Sequence, residues 1–210
     1  KLDVLPLGYG ANAEKVILDS LKAHPEWSDQ IVSFLWALDV TDIFRIQVIR
    51  NDKGLETVGI SHCFVNAKGT EAYGQTFMNE SLSLRRLILI AVSFFEAFSK
   101  EKIIVIDDFG QLLHPYVLTH IVEIFHANDM ESQLIVVDCN PALLQKDLMR
   151  KDSIWFAEKG EESSTEFVSL SDFRGIKAKQ SIYDGYLQGI FGALPIESDF
   201  CFQNKVKENN

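Results

Sequence analysis

The sequence predicts an α/β fold, a mixed sheet with a parallel core flanked by helices. Two observations carry this prediction. Apolar residues recur at three- and four-residue spacings in some segments and at two-residue spacing in others. From about residue 80 onward, helix-like and strand-like segments alternate, which is typical of a parallel sheet with helices on its faces.

Composition excludes several protein classes. The chain has 210 residues, of which 47% are hydrophobic and 24% charged, as in an ordinary globular protein. The net charge of −10 repels phosphates, which makes direct nucleic-acid binding an unfavourable hypothesis. No apolar run reaches the roughly 18 residues of a membrane span. Cys63, Cys139 and Cys201 lack C-x-x-C spacing, so we expect neither disulfides nor a structural zinc site, and we expect a reducing, cytoplasmic setting.

The first third of the chain changes its hydrophobic period. Helical spacing predicts helices over about 12–23 and 25–38. Alternation then predicts a small antiparallel meander over 40–77, with turns at Asn51–Gly54 and Asn66–Gly69.

The rest of the chain predicts a parallel sheet. Two continuous apolar runs, 103–107 and 134–138, have the character of buried parallel strands, and we expect 154–158 and 166–170 to continue their sheet. The predicted helices cover 84–98, 114–126 and about 181–188.

Two carboxylates follow the first apolar run. Asp107 and Asp108 come directly after Ile103–Ile106, at the end of a strand where open α/β sheets bind their ligands. In a nucleotide hydrolase, the first acid at this position holds Mg²⁺ and the second orients or deprotonates water. Alternatively, the two acids only end the strand and cap the next turn.

A longer pattern surrounds these acids. The segment Asn79–Arg86 has the sequence NESLSLRR, and an apolar helix, the acid-ended strand and the triplet Leu113–Pro115 follow it. This order resembles the ABC-type ATPases, and more narrowly the AAA-labelled branch found in bacterial abortive-infection and other phage-defence systems. Members of that branch carry a signature close to E-S-x-G-T-x-R, a strand ending in Asp-Glu (Walker B) and a D-loop ending in L-H-P. The resemblance covers roughly residues 25–197 and is most specific over Trp155–Phe173.

The resemblance implies a P-loop NTPase fold with ATP and Mg²⁺ as cofactors. Two heads would sandwich Mg·ATP, so the implied partners are a second head, identical or related, and a separate effector. The implied site residues fall into three groups: Asp107 as the metal ligand; Asp108 and Asp138 as catalytic positions; and Ser81, Ser83 and His114 as nucleotide contacts. Ser81 and His114 also have ordinary structural roles at helix starts.

The sequence departs from the family pattern at four positions. Ser83 stands in place of Gly, Leu84 in place of Thr, Asp108 in place of Glu, and Asp138 in place of the switch His. We therefore expect weak hydrolysis or none. The phosphate loop G-x-x-x-x-G-K-[ST] (Walker A) does not occur in the sequence. Either Lys1 lies inside a longer chain that holds this loop, which the missing initiator Met favours, or the protein is a degenerate relative.

The resulting domain prediction has three parts: a helical insertion over 1–40, the carboxyl-terminal half of an ATPase domain over 41–200, and a mobile tail over 201–210. Two other functions stay open, a pseudo-ATPase scaffold and a two-metal nuclease centre built by Asp107, Asp108 and Asp138. Arg85 and Arg86 are expected to be solvated or paired.

Overall fold

A computed structural model of the chain describes residues 2–4, 11–128, 131–145, 148–160, 162–175 and 181–195. The chain forms two compact units, divided between Leu143 and Leu144. The predicted tail over 201–210 lies outside the described residues, and the predicted domain boundaries near 40 and 200 stay predictions. None of the described helices combines the length and apolar character that a bilayer crossing needs.

Among its described residues, the first unit contains two small sheets and four α-helices. Its elements in chain order are β1 (Leu2–Val4), α1 (Ala11–Ala23), α2 (Trp27–Ala37), β2 (Ile43–Arg50), β3 (Glu56–Asn66), β4 (Gly69–Thr76), α3 (Leu82–Lys100), β5 (Ile103–Ile106), α4 (Pro115–Ala127) and β6 (Gln133–Val136). The predicted helices and the predicted meander are confirmed. The segment over 1–38 is not helical throughout, because β1 lies within it.

The meander follows the predicted turn chemistry. Strands β2, β3 and β4 pair antiparallel in that order. In the first turn, the Asn51 side-chain oxygen accepts hydrogen bonds from two backbone amides, and Gly54 adopts a φ of +74°. In the second turn, Asn66 accepts from the Lys68 amide in the same way. Both asparagines therefore act as side-chain mimics of a turn.

The parallel sheet has the order β1-β5-β6. Strand β5 lies in its centre and pairs in parallel with β6 from Ile103 opposite Gln133 to Ile106 opposite Val136, which confirms the predicted pairing. Ile104 and Ile106 are buried. The sequence predicts that both faces of this sheet are buried. Ile135 on β6 departs from that prediction, since it is about half exposed among the described residues.

The helices on either side of β5 begin at side-chain caps. Ser81 caps α3 and His114 caps α4, which has Pro115 in its first turn. Helix α3 buries eleven of its residues, so it is the central helix of the unit.

The second unit corrects one prediction. Strands β7 (Trp155–Lys159) and β8 (Thr165–Ser169) do not continue the parallel sheet; within the described residues they pair only with each other, antiparallel. The physical reason is the short connection, closed by a hydrogen bond from the Gly160 amide to the Ser164 carbonyl. It is too short for the crossover that parallel strands need. Helix α5 (Ile182–Leu187) packs in the same unit, whose core is Ile154, Phe156, Leu170 and Phe191.

Candidate nucleotide site

The two carboxylates lie where the sequence places them. Strand β5 ends at Ile106, and Asp107 and Asp108 follow it with exposed side chains. The Asp108 amide donates to Asp107 Oδ1 at 3.1 Å, and Asp108 adopts a left-handed φ of +47°. A non-glycine residue in this conformation costs roughly 1–2 kcal/mol and persists only where neighbouring contacts enforce it.

Arg86 supplies those contacts. Its side chain is 1% exposed, and its guanidinium reaches across from α3 to the turn after β5. Nη2 donates to the Asp107 carbonyl at 3.4 Å, to the Asp108 carbonyl, and to the Phe109 carbonyl at 3.0 Å; Nε donates to the Phe109 carbonyl at 3.3 Å. The guanidinium fork therefore fixes the backbone that carries both acids. Of the two states that the sequence offers for Arg86, solvated or paired, the structure shows the paired one.

Asp138 holds the same turn from the other side. Its Oδ2 accepts from the Gly110 amide, and its Oδ1 accepts from the Asn140 amide at 2.7 Å. A Cβ on Gly110 would lie 2.7 Å from Asp138 Oδ2, so the close approach requires glycine here. Both carboxylate oxygens thus bind backbone amides of the chain itself. This geometry supports a structural role for Asp138, and its predicted catalytic role stays untested.

The predicted serine contacts lie at the start of α3. Ser81 is exposed, and its Oγ accepts from the Leu84 amide at 3.2 Å as an N-cap. Ser83 Oγ donates to the Leu112 carbonyl at 2.9 Å, which ties α3 to the loop between β5 and α4. Ser83 therefore uses its hydroxyl proton within the chain, whereas no described residue accepts the proton of Ser81.

His114 lies at the start of α4. Its Nδ1 accepts from the Tyr116 amide at 3.2 Å, and its ring is exposed. This is the ordinary structural role that the sequence offers for a histidine before proline. A nucleotide contact by His114 stays a prediction.

Direct hydrogen bonds join the start of α3, the loop over 107–114 and the loop over 137–140 into one framework. Its exposed acids are Asp107 and Asp108. They have the chemistry of one Mg²⁺ ligand and one group that faces water. Asp107 offers a carboxylate oxygen of the kind that Mg²⁺ prefers, and its role as a metal ligand stays a prediction. The sequence contains no loop to cradle phosphate. In the described part of the chain, no three His, Cys, Asp or Glu side chains form a group that could hold a metal ion. Asp107, Asp108 and Asp138, the residues of the nuclease alternative, are therefore not such a group, and both carboxylate oxygens of Asp138 accept from backbone amides.

Sequence reasoning missed three parts of this framework: Arg86, Gly110 and Asn140. Gly110 and Asn140 carry no signal in the sequence, since single residues of these types are common in loops. Arg86 has one weak signal. It lies in the first turns of an apolar helix whose residues are nearly all buried, and a solvated arginine is uncommon at such a position.

Comparisons with known proteins give the fold. No protein-family model matches the chain, and no curated protein matches it. One solved structure, from work on ATP-driven dimerisation and DNA-stimulated activation of SMC ATPases, aligns with a TM-score of 0.50 and 13% identity, covering 71% of this chain and 86% of the other. A second, an SMC head bound to the C-winged helix domain of ScpA, has a TM-score of 0.45 and 14% identity over 71% of this chain and 43% of the other. The first of these likenesses shows that the chain shares the coarse fold of that SMC ATPase structure.

Proposed function

We propose that this chain is part of an ABC-type ATPase head that binds Mg·ATP at the interface with a second head. Nucleotide state would be coupled to an effector, as in the phage-defence family that the sequence resembles. The observation that carries the proposal is the pair Asp107–Asp108, held exposed at the carboxyl end of the central parallel strand in a fold shared with an SMC head.

The proposed roles follow from the available atoms. Asp107 offers an exposed carboxylate oxygen to Mg²⁺, the kind of ligand that this ion prefers. Ser81 offers a hydroxyl proton at the positive end of α3 to a phosphate oxygen of a nucleotide held by the other head. The phosphate loop must come from sequence other than these 210 residues.

Hydrolysis by this site should be weak. Asp108 is one methylene shorter than the Glu of the family, which draws the carboxylate back from the water that it should activate. A misplacement of about 1 Å can cost roughly a hundredfold in rate. Asp138 holds backbone amides, so it does not replace the phosphate contact of the switch His.

A pseudo-ATPase scaffold is the second candidate. It is favoured by the internal use of two predicted site residues, since Ser83 bonds Leu112 and Asp138 bonds Gly110 and Asn140. A scaffold would keep these contacts and the dimer surface while binding no nucleotide.

Substituting Ser81 with Asp separates the two functions. Aspartate caps a helix as well as serine does, so α3 should form normally, but its charge opposes phosphate. Two like charges about 4 Å apart repel by roughly 1–4 kcal/mol. We expect Mg·ATP to promote dimerisation of the full-length protein in analytical ultracentrifugation, and Ser81→Asp to weaken this effect by about tenfold or more.

The matched control is Ser181→Asp. Ser181 caps α5 through a hydrogen bond from the Asp184 amide at 3.1 Å, so the same chemical change is made at another helix start. Ser181→Asp should dimerise like the wild type. A dimer that forms equally well without nucleotide, and is unaffected by Ser81→Asp, would support the scaffold and reject the ATPase head.

A further inference from the structure

A buried histidine lies between two carboxylates in the first unit. His62 on β3 places Nδ1 2.7 Å from Asp42 Oδ2 and Nε2 2.8 Å from Glu80 Oε1. The side chains of His62 and Glu80 are each 5% exposed, whereas that of Asp42 is about half exposed. The three residues come from separate parts of the chain: the loop before β2, the middle of the antiparallel sheet, and the segment before α3.

The geometry suits a charged ring. An ionised carboxylate only accepts hydrogen bonds, so a histidine between two ionised carboxylates bonds both of them when each ring nitrogen carries a proton. The Tyr73 ring, opposite His62 on β4, stacks on the imidazole with 4.8 Å between centroids and 5° between planes. An aromatic face stabilises a cation placed over it.

Glu80 connects this pair to the candidate site. It directly precedes Ser81, and its own backbone is fixed at both ends: its amide donates to the Phe77 carbonyl at 3.1 Å, and its carbonyl accepts from Arg85 Nε at 3.0 Å. The bond from the Glu80 side chain to His62 adds a third tie, to the antiparallel sheet, directly before the N-cap residue of α3.

We propose that His62 is a positioning residue for the Ser81 segment. As an imidazolium between Asp42 and Glu80, it holds Glu80 against the antiparallel sheet and so places the Ser81 hydroxyl; loss of its proton releases one of these two bonds and loosens the segment. The use of Ser81 for phosphate rests on the proposed function, but the positioning of the segment does not.

The charges around His62 give the direction of its titration. Burial pulls the pKa of His62 down, but hydrogen bonds and charge from Asp42 and Glu80 outweigh burial and raise the pKa above its ordinary value. Two further titratable side chains contact this pair: the Tyr73 ring on β4 stacks on the imidazole, and the Arg85 guanidinium donates to the Glu80 carbonyl. The segment should therefore be held near neutral pH and released as the pH rises.

Nuclear magnetic resonance of the nucleotide-free protein tests the proposal. We expect both ring nitrogens of His62 to stay protonated to a higher pH than those of an unperturbed histidine, whose pKa is about 6.5. We expect the amide signals of Ser81 and Leu84 to shift with the same midpoint as the His62 ring when the pH is raised. A His62 ring that loses its proton at or below the ordinary histidine pKa, or amide signals that do not follow the ring, would overturn the proposal.

Two matched variants complete the test. His62→Gln keeps a hydrogen-bonding side chain without a titrating ring, and it should abolish the pH-dependent shift at Ser81 and Leu84. His120→Gln removes an exposed histidine that also bonds a carboxylate, Glu123, at 2.8 Å, and it should leave the shift unchanged. If His62→Gln does not fold, the wild-type titration alone decides.

Dimerisation separates this proposal from the proposed function. If both hold, His62→Gln weakens ATP-dependent dimerisation several-fold and removes its loss at high pH. If the wild type shows no ATP-dependent dimer, the proposed function fails, while the titration still confirms or rejects the role of His62.

Discussion

Replacing Arg86 with Met is expected to lower the free energy of unfolding by about 3 kcal/mol or more, since each buried carbonyl that loses its donor costs about 1–3 kcal/mol. Met fills much of the volume of the arginine stem but donates no hydrogen bond. The carbonyls of Asp107, Asp108 and Phe109 would lose the guanidinium that joins them to α3. Urea unfolding followed by circular dichroism measures the loss.

The neighbouring arginine is the control. Arg85 lies one position earlier on α3 and is half-buried, with its guanidinium 5.9 Å from the centre of the Phe77 ring. Arg85→Met should cost about 1 kcal/mol, the net value of an ordinary hydrogen bond. Arg86→Lys should recover little stability, because an ammonium group lacks the planar fork. Equal losses at Arg85 and Arg86 would contradict the role given to the Arg86 guanidinium.

Replacing His62 with Leu is the second large effect, with an expected cost of about 3–5 kcal/mol, because it leaves the Glu80 carboxylate buried without a partner. The double variant with Glu80→Met removes that stranded charge and should recover most of the loss. A double-mutant cycle with the two single variants measures the coupling between the residues.

The same pair makes stability depend on pH. Burial lowers the pKa of His62 in the folded protein, but the hydrogen bonds and charges of Asp42 and Glu80 together outweigh it, so that the pKa is raised. The stabilisation is therefore fully present below the ordinary histidine pKa of about 6.5 and is lost as the pH rises through the raised value. The unfolding free energy of the wild type should fall over this interval, and that of the His62→Leu, Glu80→Met variant should not. A parallel fall in both proteins would contradict the assignment to His62.

Local patterns predict the elements of this fold well. Helical and alternating periodicity places α1 to α4 and the meander, and asparagine and glycine mark its turns, because each of these signals acts within a few residues. Local patterns do not predict which strand pairs with which. Strands β7 and β8 contain the aromatic and β-branched residues typical of sheet strands. Only the short connection at Gly160 distinguishes their hairpin from a continuation of the parallel sheet.

The candidate site also has a part that the sequence predicts and a part that it does not. Asp107 and Asp108 can be found because acids follow a continuous apolar strand. The groups that hold them cannot, because Arg86 and Asp138 act on backbone atoms of a distant loop. Contacts of this kind produce no regular residue spacing from which they could be predicted. His62 and Glu80 are likewise separated by a whole strand, although they are in direct contact.

Calorimetric titration of the full-length protein with Mg·ATP tests the central claim most directly, with Asp107→Asn as the variant. Asparagine keeps the size of the side chain and an acceptor for the Asp108 amide, but it loses the charge that would hold Mg²⁺. Asp52→Asn, at an exposed aspartate in the turn between β2 and β3, is the control. The account predicts Mg-dependent ATP binding by the wild type and by Asp52→Asn, weakened about tenfold or more in Asp107→Asn. No binding by the wild type, or equal binding by all three proteins, would contradict it.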